Sequence, residues 1–122
     1  MSGIAGFISD RLSNCYDNPE VLDRMCRAIT YRGPDDQGVY TKRNVALGMR
    51  RLAIIDVAGG RQPVCNEDGT VTAVFNGEIY NFQDLRTDLE RRGHRFQSHS
   101  DTEVIVHAYE EFGTECVKHF RG

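Results

Sequence analysis

Apolar positions along the chain change period several times, and each change predicts an element. Gly3 to Ile8 is small and apolar with two glycines, which predicts a buried strand that lets another backbone come close. From Pro19 the spacing becomes helical, with Val21, Leu22, Met25, Ala28 and Ile29 on one face. Asn18 suits the N-cap, Pro19 the first helical position and Glu20 the positive end of the dipole. Turn residues over 31–38 interrupt that pattern. Three β-like stretches follow at 39–41, 45–55 and 71–75, the last two apolar at nearly every position of LAII and VTAVF, as in strands covered on both faces. Glu67-Asp68-Gly69 between them predicts a hairpin turn. Asn81 caps a predicted helix with Phe82, Leu85 and Leu89 inward, stopped by Gly93. Ser100 and Glu103 form an S-x-x-E capping box before Val104, Ala108 and Phe112, with Gly113 as the stop and a short apolar stretch from Cys116 to Phe120. Strands early, with helices between and after them, predict an α+β layered domain.

Composition narrows the class without reaching a function. The 122 residues suffice for one ordinary domain, and 39% hydrophobic with 27% charged residues places the chain among globular proteins. A net charge of -3 without a run of either sign points to no nucleic-acid surface and no polybasic membrane anchor. Apolar runs are too short to span a bilayer, and the start MSGIAGFISD lacks the form of a secretory signal, so a cytoplasmic location is expected. Cys15, Cys26, Cys65 and Cys116 contain no C-x-x-C and make no zinc spacing with His94, His99, His107 and His119. Free thiols and no metal are expected.

Four positions suggest chemistry, each beside a purely structural account. Asn76-Gly77 after an apolar strand signals a tight type I′ hairpin turn, and it could also aim an Asn side-chain N–H and a Gly backbone N–H into one site. Arg51 within an apolar strand is either on an exposed edge or paired, and Arg50 beside it reads as solvated. Asp101 stands where a helix dipole favours an acid in any case. Arg32-Gly33-Pro34-Asp35 is a turn by its chemistry.

Taken in order, SGIAGF at 2–7, RGPD at 32–35, RLAIID at 51–56, NGEIYN at 76–81 and SDTE at 100–103 closely resemble the class II glutamine amidotransferase domain of glutamine-hydrolysing asparagine synthetases. The resemblance covers essentially the whole chain. It implies an N-terminal nucleophile hydrolase fold, two stacked sheets between helical layers, and hydrolysis of L-glutamine to glutamate and ammonia for an ATP-activated aspartate. In the family the residue after Met1 is a cysteine, exposed by removal of Met1, whose thiol attacks the amide while its α-amine, with a pKa of about 7.7–8.0, accepts the proton. Here that residue is Ser2, with essentially no ionised hydroxyl at neutral pH, so the resemblance implies a silent glutaminase. It makes Asn76 and Gly77 the oxyanion hole, and Arg51 the two-point holder of the glutamine α-carboxylate. Asp101, with Glu78 beside the N-G turn, would face the α-ammonium; Leu52, Ile54 and Ile55 would line the pocket; and the RGPD turn would support the nucleophile.

In the family, apolar strands completing the second sheet and a synthetase domain follow the position of Gly122. Residues 1–122 are therefore expected to be the N-terminal part of the domain, an αββα sandwich lacking its C-terminal strands and without the synthetase domain. No cofactor is expected here, since ATP and magnesium belong to the synthetase domain and no phosphate-cradling loop appears. Expected partners are L-glutamine, the protein's own C-terminal synthetase domain and a second copy of the chain, because uncovered apolar faces and strand edges favour self-association or marginal stability. Two other readings remain open at this point: a non-catalytic glutamine-binding or dimerisation module, and the N-terminal domain of a β-lactam synthetase-like relative.

Overall fold

The computed structural model describes residues 1–9, 19–52 and 60–122. Within them the protein is mixed α and β, with antiparallel sheets, and its contacts form two compact units. The first comprises residues 1–55 and 74–76, the second 56–73 and 77–122. Asn18, Cys15, Ile54 and Ile55, to which the sequence assigns a cap, a thiol and pocket walls, lie outside the described residues.

In the first unit, β1 (Gly3–Ile8), β2 (Asp36–Lys42) and β3 (Val45–Arg51) form a three-stranded sheet in the order β1-β3-β2, and α1 (Pro19–Ala28) packs on it. Ile4 and Gly38 both stand opposite Met49, so the two ladders share one register on the central strand. The core is Leu22 and Cys26 of α1 against Ala46, with Phe7 packed beside them. Leu22 and Cys26 lie one turn apart on the same face, and it is Cys26, not Ala28, that turns inward; Ala28 is exposed. Helix and strand meet closely because position 48 is glycine: a Cβ there would come within 2.5 Å of the Cys26 Sγ.

β1 differs from the buried strand expected. Ile4 and Ile8 are 51% and 72% exposed on one face while Phe7 reaches the core from the other, the alternation of a strand covered on one side. β2 starts three residues before Val39, because Asp36 pairs with Arg51 and carries the ladder to the end of β3.

In the second unit, β4 (Val64–Cys65) and β5 (Thr72–Ala73) make a short hairpin, followed by α2 (Phe82–Arg91), α3 (Glu103–Phe112) and a 3-10 helix over Gly113–His119. The turn sits where expected, but its first strand is a two-residue segment that the apolar pattern does not mark. Side chains hold that turn: the Asn66 Oδ1 accepts the Val71 N–H at 3.0 Å, and the Asp68 Oδ1 accepts both the N–H and the hydroxyl of Thr70. Among the described residues of this unit, Ile79, Leu89, Val104, Val106, Ala108 and Cys116 are the buried hydrophobic ones. Each of the larger ones contributes about 1.5–3 kcal/mol through its removal from water. Gly93 (φ 101°) and Gly113 (φ 59°) end the two helices with positive φ, as the stop signals predict.

The capping box does not form in its expected shape. Glu103 is 2% exposed and reaches back past Ser100. Its Oε1 accepts the Gln97 N–H at 2.7 Å, and its Oε2 accepts the N–H of Ser98 at 2.8 Å together with the Ser98 hydroxyl. The Ser100 Oγ instead accepts the Thr102 N–H at 3.2 Å. Residues 97–98 offer three donors where Ser100 would offer one, so the carboxylate goes to them. Among the described residues no helix is long and apolar enough to cross a membrane.

Candidate active site

Ser2 is placed by the ladder that follows it. Gly3 pairs with Arg50, so Ser2 lies beside the end of β3, where its Oγ accepts the Leu52 N–H at 3.2 Å. Its carbonyl accepts the Arg32 Nε at 3.1 Å. Two of the expected site residues, Ser2 and Leu52, thus meet directly. A hydroxyl that accepts one bond keeps its own proton to donate or to lose.

Arg50 is not the solvated residue that its position suggested. Its Nε donates to the Gly33 carbonyl at 2.8 Å, its Nη1 to the Gln37 Oε1 at 3.2 Å and its Nη2 to the Pro34 carbonyl at 3.3 Å. The planar guanidinium therefore clamps the RGPD turn onto β3. Gly33 makes that closeness possible, since a Cβ would collide with the backbone of Arg50 and Arg51. Arg51 is half-buried, with its carbonyl accepting the Asp35 N–H at 3.0 Å. The Arg32-to-Asp35 turn so contacts the backbone or side chains of Ser2, Arg50 and Arg51, a supporting position beside residue 2.

Asn76, which closes the first unit, and Gly77 and Glu78, which belong to the second, are all exposed. The expected type I′ hairpin at Asn76-Gly77 is not present: residues 74–81 hold no strand and lead into α2. The backbone donors that would pair in a hairpin go elsewhere. The Ile79 N–H donates to the Asp101 Oδ2 at 2.8 Å, and the Tyr80 N–H to the Arg121 carbonyl at 2.6 Å. Asp101 lies two residues before α3, so its carboxylate has a defined partner next to Glu78, and its Oδ1 takes no hydrogen bond from the described residues. Asn81 precedes α2 without capping it by its side chain. It bridges the end of the chain instead, its Nδ2 donating to the His119 carbonyl at 2.9 Å and its Oδ1 accepting the Arg121 N–H at 3.0 Å.

A second polar cluster, which no sequence spacing marks, lies in the second unit. Glu67 of the β4–β5 turn, His94 after α2, and His107 and Glu110 on α3 bring one ligand-type atom each to within 4.8 Å of the others. Burial pushes the Glu67 carboxyl up, but the Arg95 N–H on its Oε1 and the neighbouring His107 and His94 outweigh this and hold it below the ordinary range. Glu111, hydrogen-bonded first by His94 and also by Arg92, is likewise held down. The four residues come from positions up to 43 apart (67 to 110), so only the packing of α3 on the hairpin assembles them.

Comparison with known proteins bears on the whole chain. Residues 1–122 match the glutamine amidotransferase domain family. The chain is 44% identical over 124 aligned residues to Bacillus subtilis (strain 168) asparagine synthetase [glutamine-hydrolyzing] 3, covering 100% of this chain and 20% of that protein. Asparagine synthetase [glutamine-hydrolyzing] 1 of the same organism is 42% identical, again over 100% of this chain and 20% of its own length. The Arabidopsis thaliana asparagine synthetase [glutamine-hydrolyzing] 1 is 46% identical over 76% of this chain and 16% of its own. The chain thus spans about a fifth of the length of the Bacillus relatives it matches. With the match extending from Met1 to Gly122, the chain belongs to the glutamine amidotransferase domain family.

Proposed function

We propose that this chain is the N-terminal part of the glutaminase domain of a glutamine-dependent asparagine synthetase, with an N-terminal nucleophile hydrolase fold, and that it binds L-glutamine without hydrolysing it. The observation that carries the reading is the match over all 122 residues combined with a serine at position 2, held against the Leu52 N–H. Arg51 takes the α-carboxylate of glutamine by two-point bonding. Asp101 takes the α-ammonium, its carboxylate already aimed by the Ile79 N–H, with Glu78 beside it. Asn76 and Gly77 are the oxyanion donors for a tetrahedral intermediate. The family resemblance makes Leu52, Ile54 and Ile55 the pocket-lining residues of this reading.

The missing element is the nucleophile. A free cysteine is a few per cent thiolate near neutral pH and intrinsically very nucleophilic; a serine hydroxyl needs a strong base beside it. The candidate base is the α-amine of residue 2, which exists only after Met1 is removed. In the parent protein, ammonia would pass to a synthetase domain that uses ATP and magnesium on aspartate, in the cytoplasm. Association with a second copy of the chain belongs to the same proposal.

The test uses the parent full-length protein in two forms, native and Ser2→Cys, each with Met1 removed. Calorimetry with L-glutamine is expected to show binding to both, and ammonia release only from the Ser2→Cys form. Absence of glutamine binding to the native protein would overturn the substrate assignment. Binding with no ammonia from the Ser2→Cys form would leave a glutamine-binding module and refute the silenced-glutaminase reading.

A further inference from the structure

We propose that Glu67, His94, His107 and Glu110 form a binding site for one divalent transition-metal ion of the zinc type, which ties the β4–β5 turn to α3. The first observation is geometric. The His94 Nδ1 lies 3.3 Å from the Glu67 Oε1 and 3.7 Å from the Glu110 Oε2, and the His107 Nδ1 lies 3.3 Å from the Glu67 Oε2. Charge-assisted N–H···O bonds run shorter, about 2.7–2.9 Å. Ligand-to-metal distances of about 2.0–2.2 Å around a tetrahedral zinc place neighbouring ligand atoms about 3.3–3.5 Å apart. These contacts, made through both Glu67 oxygens, fall near that spacing, and one ligand atom from each of the four residues lies within 4.8 Å of the others.

The second observation is independent of the first. His107 is 1% exposed, and its Nδ1 has no hydrogen-bond partner, although the atom faces the cluster. A protonated Nδ1 there would be a buried donor with no well-placed acceptor, at a cost of about 1–3 kcal/mol. A lone pair on the same nitrogen would instead find an ion. Neutral imidazole nitrogen with carboxylate oxygen is a donor set for zinc rather than for magnesium or calcium, which take oxygen ligands.

Each of the four residues also has an outer partner of the kind that orients a ligand. The His94 Nε2 meets the Glu111 Oε2 at 3.0 Å, and the His107 Nε2 meets the Glu103 Oε1 at 3.3 Å. Carboxylates on the far nitrogens fix each ring with Nδ1 toward the centre and raise its basicity as a ligand. The Glu67 Oε1 accepts the Arg95 N–H at 2.7 Å, and the Glu110 Oε2 accepts the Asn66 Nδ2 at 3.0 Å. His107 and Glu110, three residues apart on α3, share a face by helical geometry. Arg92 stands close by but is engaged with Asp88 and Glu111. One divalent ion balances the two ligand carboxylates, Glu67 and Glu110, without a buried proton that lacks an acceptor.

The experiment is calorimetric titration of zinc chloride into tag-free protein stripped with chelator, near pH 7.5, with magnesium chloride as the control. Binding of one zinc per chain and a rise in melting temperature with zinc but not magnesium are expected. Because His107→Ala removes a buried ring and can unfold the protein, the decisive variants are Glu67→Gln and Glu110→Gln, at exposed positions that keep side-chain volume. Each is expected to lower zinc affinity by more than the roughly 10–100-fold that loss of an outer partner costs, and Glu111→Gln to fall within that range. A tetrahedral cobalt(II) absorption spectrum, lost in the same variants, would assign the ligands. No zinc binding to the native protein, or equal binding to Glu67→Gln and Glu110→Gln, would overturn the site.

Discussion

Replacing Glu103 by glutamine isolates the contact that holds the start of α3. Three donors from residues 97 and 98, and the His107 ring, converge on its two carboxylate oxygens. Glutamine offers one oxygen and one NH2. Whichever way the amide turns, its NH2 faces a backbone N–H, of Gln97 or of Ser98. The Ser98 hydroxyl can rotate to accept, so the less costly orientation strands one N–H, at about 1–3 kcal/mol. The remaining bonds lose the charge that makes them roughly twice as strong as neutral ones. The sum is about 3 kcal/mol, against about 1 kcal/mol for an ordinary helix cap. Urea unfolding followed by far-ultraviolet circular dichroism, with chelator present, measures the difference at constant m.

A pH series strengthens that test. Burial pushes the Glu103 carboxyl up, but bonds from the Ser98 hydroxyl, the Gln97 and Ser98 amides and His107 outweigh it, so the folded value lies below the ordinary one. Its ionised form therefore contributes stability above the unfolded value of about 4.3, and the contribution is lost as pH falls through the folded value. The gap between native and Glu103→Gln is widest near neutrality, begins to narrow below about pH 4.3, where the unfolded carboxyl takes up a proton, and is lost as pH falls through the lower folded value. A loss under about 1 kcal/mol at pH 7, or a gap independent of pH, would refute the reasoning.

Three further outcomes follow from the packing. Gly48→Ala drives a methyl against the Cys26 Sγ and should cost about 1–3 kcal/mol in urea unfolding; adding Cys26→Ala should recover at least about 1 kcal/mol, and strict additivity would contradict the contact. Arg50→Lys replaces a planar fork with a single ammonium, and should lower stability by about 1–2 kcal/mol and raise amide exchange around Asp35, whose N–H bonds to Arg51. Asn81→Ala should cost about 1–2 kcal/mol and speed hydrogen exchange at the Arg121 amide, while leaving the helix content of α2 unchanged, because the side chain bridges residues 119 and 121 rather than capping the helix.

Elements written in local chemistry were legible. Pro19 at the start of α1, Gly93 and Gly113 at the helix ends, and the Glu67-Asp68-Gly69 turn all appear where residue types place them, because caps and turns depend on a few neighbouring atoms. Elements that depend on distant partners were not. β4 is two residues long and exists through pairing with β5, and the Arg50 clamp requires carbonyls presented by residues 33 and 34. The helical face of α1 was right in period but wrong at its fourth turn-mate, because Gly48 opens room for Cys26, which the helix's own pattern does not reveal. The N-G signal misled for a related reason: Asp101 and Arg121, far along the chain, take the donors a hairpin would use. In the candidate site, the family motifs name the residues, whereas the Ser2–Leu52 and Asp101–Ile79 contacts join positions 50 and 22 residues apart and exist only in the folded chain.

The register of β1 has a consequence for the maturation of the N-terminus. Six pairs, from Gly3 opposite Arg50 to Ile8 opposite Val45, act as a ruler whose zero mark is the residue just before Gly3. A slip by one pair would displace Ser2 by about 3.3–3.4 Å along the strand and turn β1 to its other face, beyond reach of the Leu52 amide. Met1 is 74% exposed and lies outside the ladder. Removal of Met1, which the proposed function requires, would leave the six pairs and their scale unchanged, and the new amine would arise on Ser2 just before the ladder.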